Sequence, residues 1–230
     1  MIRERWEELL ASVERSCARA GRSPDSVRIV AVSKNHPPDA VIEAYQAGVR
    51  IFGENYVQEA LPKIEATRGM TPEASWHFIG ALQSNKAKQV VGRFSLLHSL
   101  DRWSLAAALE KEKRKTGLVT PGLLEVNLAG EESKSGVAVQ QVRPLLERIS
   151  GETSIEVRGL MTFPPLSDDP EEARRYFASA RELGNEIASW KLPRIEMNEF
   201  SMGVTSDFEV AIEEGATLIR IGTAIFGTRS

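Results

Sequence analysis

The chain is 230 residues long, 42% hydrophobic and 27% charged, which is enough apolar material to build one full core at the upper end of single-domain size. A formal net charge of -3 gives no electrostatic footing for nucleic acid or for an anionic membrane surface. The single cysteine, Cys17, has no internal disulfide partner and no Cys/His cluster has zinc spacing, so no metal site is expected and a reducing compartment suits the composition.

The first residues, Met1 to Glu8, carry Glu4, Glu7 and Glu8 where a signal peptide needs an apolar core, and no run that could span a bilayer follows; the expectation is a cytoplasmic protein. From Trp6 to Ala20 the apolar positions Trp6, Leu9, Leu10, Val13, Cys17 and Ala20 recur at helical spacing, and Gly21 supplies a stop. Arg28–Ser33 then reads as a strand and Pro38–Ala47 as a helix closed by Gly48. Further strands are predicted at Arg50–Gly53, Trp76–Ile79, Ser95–Leu100, Leu123–Val126, Val157–Met161, Glu199–Met202 and Thr217–Ile221, with helix-compatible stretches between them. Eight βα repeats, several with strands too continuously apolar for a wet face, predict an α/β fold: a single TIM (β/α)8 barrel with an extra N-terminal helix, one domain over residues 1–230. A doubly wound open sheet is the alternative. Pro164–Pro170 reads as a βα loop with a helix starting near Pro170, and Glu110–Lys115 as a solvated helix face.

In a TIM barrel the active face is built at the C-terminal ends of the strands. The first predicted strand runs into Lys34, with Pro37 and Pro38 beyond it, and a partly desolvated amine there is nucleophilic toward an aldehyde. The second exits through Glu54, Asn55 and Tyr56, and the third is followed by Gln83, Asn85 and Lys86, a density of polar groups that suggests a ligand, although Glu54 or Asn55 also suits a helix cap. His77, within an apolar strand, reads as a core histidine. The last two strands exit through Ser201-Met202-Gly203 and Arg220-Ile221-Gly222-Thr223, where such barrels place phosphate; backbone N–H groups at Gly203, Gly222 and Thr223 and the hydroxyls of Ser201 and Thr223 are the expected donors. No P-loop and no dinucleotide fingerprint occurs, which argues against ATP and NAD.

These segments, together with Ala31-Val32-Ser33-Lys34, Gly53-Glu54-Asn55-Tyr56, Trp76 to Gly80, Gln83-Ser84-Asn85-Lys86, Arg158 to Met161 and Ile225-Phe226-Gly227, resemble the pyridoxal phosphate homeostasis protein family over nearly the whole chain. The resemblance implies the barrel of the alanine racemase N-terminal domain, with pyridoxal 5′-phosphate (PLP) held as a Schiff base on Lys34. It further implies phosphate contacts at Ser201, Gly222 and Thr223, with Met202 and Gly203 in the same binding segment, Asn55 near the ring, and Arg220 facing the pyridine nitrogen. An arginine donor disfavours protonation of that nitrogen and leaves the ring a weaker electron sink. Asn35 stands where the family usually has Thr, Phe200 where it has Leu, and Val204-Thr205 where Met-Ser is common.

The function so implied is a PLP carrier or regulator with no catalytic residues, a monomeric homeostasis protein serving PLP-dependent apoenzymes. The alternatives are a weakly active amino-acid racemase of the same fold and a PLP-free barrel enzyme using Lys34 as its amine. Racemases of this fold carry a further β-domain whose partner-subunit residue supplies the second base, whereas this sequence reaches Ser230 soon after its eighth strand, so little racemase activity is expected. Lys63, Lys86 and Lys134, candidates for a second amine, read as solvated side chains.

Overall fold

The computed structural model describes residues 1–131, 135–165 and 167–227; Lys134 lies outside them. Its strands are β1 (Arg28–Val32), β2 (Ile51–Glu54), β3 (Ser75–Phe78), β4 (Leu96–Leu100), β5 (Gly122–Asn127), β6 (Val137–Ala138), β7 (Val157–Met161), β8 (Ile195–Ser201) and β9 (Leu218–Ile221). Its α-helices are α1 (Ile2–Arg19), α2 (Pro38–Ala47), α3 (Val57–Thr67), α4 (Ala87–Val90), α5 (Trp103–Thr116), α6 (Val139–Glu152), α7 (Glu171–Ser189), α8 (Phe208–Glu213) and α9 (Thr223–Phe226). The strands pair in the order β4-β3-β2-β1-β9-β8-β7-β5, and a β4–β5 pairing closes the ring. All these pairings are parallel, so eight strands form the closed barrel expected from the sequence, while the short β6 pairs alongside β5 outside it.

Side chains on a strand alternate between faces, and a closed barrel makes one face its interior. Val30, Ile79, Leu96, Leu123, Met161 and Leu218 form the inner cluster. Their sequence neighbours Ala31, Phe78, Leu97, Leu124, Leu160 and Ile219 belong to the larger layer between strands and helices, with Val41, Ala60, Leu105 and Phe177. Polar residues two positions from the inner cluster share its face: His77 beside Ile79, His98 beside Leu96, Glu125 beside Leu123 and Arg220 beside Leu218. They fill the barrel toward its ends.

Several boundaries differ from the sequence reading. α1 starts at Ile2, because Ile2 extends the buried stripe of Trp6, Leu9, Val13 and Cys17 by one turn; the helix packs on α2, α8 and α9. β8 starts four residues early, at Ile195. The Glu110–Lys115 face is not wholly solvated: Glu110 is buried and accepts from Ser154 N and Oγ, each at 2.9 Å, and from Arg114 Nε at 2.6 Å. Among the described residues no helix is long and apolar enough to cross a membrane.

Candidate functional site at the barrel mouth

Lys34 leaves β1 at the C-terminal rim and lines a cavity of about 460 Å³ together with Asn55, Phe163, Thr205, Arg220, Gly222 and Thr223. The backbone on both sides of Lys34 is tied to a buried ionic cluster. Lys63 Nζ, from α3, donates to Ser33 O at 2.7 Å, to Glu54 Oε1 at 2.7 Å and to Glu59 Oε1 at 2.9 Å. Ser33 Oγ donates to Glu54 Oε1 at 2.6 Å, and the Asn35 N–H donates to Glu59 Oε1. Asn35 adopts φ of 61°, a left-handed turn that asparagine tolerates better than most residues. Lys63 is therefore a buried residue, 4% exposed, and not the solvated lysine expected. Glu54 faces this cluster and not the cavity; burial raises its pKa, while the hydrogen bonds from Lys63 and Ser33 act the other way.

Arg220, on the neighbouring strand β9, also lines the cavity and is 2% exposed. Its Nη1 donates to Ser201 O and Ser201 Oγ, both at 2.6 Å, and its Nη2 donates to Thr162 O at 2.9 Å. The Phe163 ring centroid lies 4.1 Å from Cζ. Burial lowers the guanidinium pKa to about 10, against the pull of Asp207 and Glu125, so it remains a cation at neutral pH. Its Nε is buried and has no hydrogen-bond partner. Beneath it, Ser201 Oγ lies 2.8 Å from His98 Nδ1, and His98 Nε2 lies 3.0 Å from His77 Nδ1. Since the guanidinium can only donate, Ser201 gives its proton to His98, which in turn donates to His77. Burial pushes both imidazoles down, His77 to about 3, so both are neutral.

Five residues expected at the site, Lys34, Asn55, Arg220, Gly222 and Thr223, meet at this cavity. Ser201, Met202 and Gly203 do not line it. The Ser201 hydroxyl is spent on Arg220 and His98, Met202 lies in the outer core, and Gly203 packs under Phe208 and Ala211 with its carbonyl accepting from Arg220 N. Two hydroxyls the sequence reading passed over, Thr205 and Ser206, line the cavity instead, and Thr223 Oγ1 lies 3.3 Å from Thr205 Oγ1. His36, stacked on Phe226 with ring centroids 4.6 Å apart, and Phe163 complete the mouth. Tyr56, 56% exposed, immediately precedes α3 and does not line the cavity. His77 is a core histidine, as read.

A second chamber of about 410 Å³ adjoins the first, sharing Asn55, Ile79 and Phe163 and adding Glu125 and Asn127. Burial and the neighbouring Asp101 push the Glu125 carboxyl up to about 7, with Arg220 and Arg102 pulling it down. Among the described residues no group of three or more His, Cys, Asp or Glu side chains could hold a metal ion.

Comparison with known proteins places this geometry in context. The family model for the alanine racemase N-terminal domain matches residues 10–230. The pyridoxal phosphate homeostasis protein of Aquifex aeolicus is 43% identical over 226 residues, covering 98% of this chain and 97% of its relative. The structure of PipY from Synechococcus elongatus PCC7942 with PLP bound superposes with a TM-score of 0.85 at 39% identity, covering 99% of this chain and all of the other. Alanine racemase from Corynebacterium glutamicum, at 17% identity and a TM-score of 0.67, shares the fold over 62% of its own length. With a full-length match to the family model and relatives of this identity, the chain belongs to the alanine racemase N-terminal domain family and, within it, to the pyridoxal phosphate homeostasis proteins.

Proposed function

We propose that the cavity holds PLP, with Lys34 as the attachment amine, Arg220 Nε toward the pyridine nitrogen, Asn55 beside the ring, and Gly222, Thr223, Thr205 and Ser206 around the phosphate. The observation that carries this reading is the buried, unpartnered Arg220 Nε in the same cavity as the Lys34 amine. A buried N–H without an acceptor is costly, and a ring nitrogen with a free lone pair is an acceptor of the required kind. Gly222 adds a second point of fit, since its lack of a side chain keeps this part of the cavity wall open. The first turn of α9 also leaves its leading N–H groups without intrahelical acceptors.

PLP supplies an aldehyde for the lysine and an electron-withdrawing ring. The residues here act on it in ways that favour holding over turnover. Arg220, held from three sides by Ser201 and Thr162, cannot accept a proton and keeps a positive charge where a protonated ring nitrogen would need an anion. The Lys63 cluster fixes the backbone at Ser33 and Asn35 and so aims the Lys34 side chain at the cavity. The chain on this reading serves intracellular PLP homeostasis as a monomeric carrier for PLP-dependent apoenzymes, without a committed reaction of its own. That the PipY structure was solved with PLP bound supports the cofactor assignment.

Borohydride reduction of the purified protein followed by peptide mass analysis tests the reading. The adduct is expected on Lys34 and is lost in Lys34→Ala. A protein that stays colourless in excess PLP, or an adduct on another residue, overturns it. Turnover of L-alanine at enzyme-like rates would overturn the carrier assignment and leave the cofactor assignment standing.

A further inference from the structure

We propose that the chamber adjoining the cofactor cavity is a binding site for a small compound carrying a primary ammonium group, anchored by Glu125. The side chain of Glu125 lies on the inward face of β5 and lines this chamber, yet it is only 7% exposed. Among the described residues it makes no hydrogen bond and no ion pair. Buried carboxyls are normally satisfied by donors, so this one stands ready for a donor from outside the chain.

The nearby cations do not supply it. Arg102 directs Nη1 to Asp101 at 2.5 Å and Nη2 to Leu82 O at 2.6 Å, and the Arg220 Nη atoms are taken by Ser201 and Thr162. Besides the Ser135 hydroxyl, which can donate or accept, the chamber presents further acceptors. Asn55 Oδ1 is buried without a partner, and Asn127, whose Nδ2 donates to Glu131 O at 2.8 Å, has its carbonyl oxygen to offer. A ligand bringing N–H donors and a positive charge would satisfy the Glu125 carboxylate and the acceptors beside it. Ile79, Val126 and Phe163 give an aliphatic stem apolar cover, and about 410 Å³ suits a molecule the size of an amino acid. Because Asn55, Ile79 and Phe163 line both spaces, the bound ammonium group would sit directly beside whatever occupies the Lys34 cavity.

The test uses protein loaded with PLP and reduced with borohydride, so that an added amine cannot displace the cofactor from Lys34. Isobutylammonium is titrated calorimetrically at about pH 8, where the Glu125 carboxyl is ionised. Saturable binding is expected, weakened roughly tenfold or more in Glu125→Gln, with uncharged isobutanol unable to compete. Nuclear Overhauser contacts from the probe methyl groups to the Ala81 and Val126 methyl groups, which line this chamber and not the Lys34 cavity, are expected in the unmutated protein, which keeps the test decisive should the variant fail to fold. No saturable binding, equal affinity in both proteins, or contacts only elsewhere would overturn the proposal. Should Lys34 prove to carry no PLP, the same titration of untreated protein still reads the chamber, since Glu125 and Asn127 do not line the Lys34 cavity.

Discussion

Ser201 and Thr223 were equivalent phosphate hydroxyls in the sequence, and the structure gives them different work. Ser201 Oγ sits between Arg220 Nη1 and His98 Nδ1, so Ser201→Ala should cost about 1–3 kcal/mol of stability through the partners it strands, read by urea unfolding, while PLP absorbance is retained. Thr223→Val removes a hydroxyl from the cavity itself and should weaken PLP retention by roughly threefold to tenfold at nearly unchanged stability, read by equilibrium dialysis. At this scale the sequence showed which residues are polar but not which way each points. Glu54 and Asn55 are adjacent, yet one faces the Lys63 cluster and the other the cavity. Lys63 was legible in principle: it falls in line with the buried Val57, Ala60 and Thr67 of α3, at spacings of three and four that mark one helical face. A lysine in an apolar stripe with Glu59 one turn before it signals a buried pair.

Among the elements, the β7–β8 pairing depends on the missing side chain of Gly159. A Cβ there would lie 1.8 Å from Glu199 O, closer than any atom pair tolerates, so the strands must part. Gly159→Ala is expected to destabilise the fold by about 3 kcal/mol or more, measured by thermal and urea unfolding. Strand positions were readable where apolar runs are continuous, as at Val157–Met161. The start of β8 was not, because Ile195-Glu-Met-Asn-Glu interleaves polar residues that face solvent at the N-terminal rim, a pattern that reads as loop beside the apolar strands. The two-residue β6 has no periodicity to detect.

The molecule as a whole carries a buried charge balance that should appear in its pH profile. His77 is held neutral with its pKa lowered from 6.5 to about 3, and His98 is lowered as well. Between those values the unfolded chain binds protons that the folded one refuses, so this contribution is full above pH 6.5 and is lost as pH falls toward 3. Glu125 acts oppositely. Its pKa rises from 4.5 to about 7 on folding, so the folded chain binds the extra proton and its burial penalty is relieved as pH falls through that range. Relative to Glu125→Gln, the unmutated protein should gain up to about 3 kcal/mol between pH 8 and pH 4.5, followed by urea unfolding at each pH. The barrel was legible from the order of its strands, whereas two chambers sharing one wall were not, because only closure of the ring shows which rim residues face each other.

Within the ring the first and last strands, β1 and β9, lie side by side, with Val30 paired to Arg220 and Ala31 to Ile221. Lys34 follows β1 and Thr223 follows β9, and only this junction makes them neighbours. A chain without β9 and the turn after it would keep Lys34 but lose Arg220, Gly222 and Thr223 from the proposed site. On the proposed reading, capture of PLP waits on the joining of these two strands, and retained cofactor reports a closed barrel.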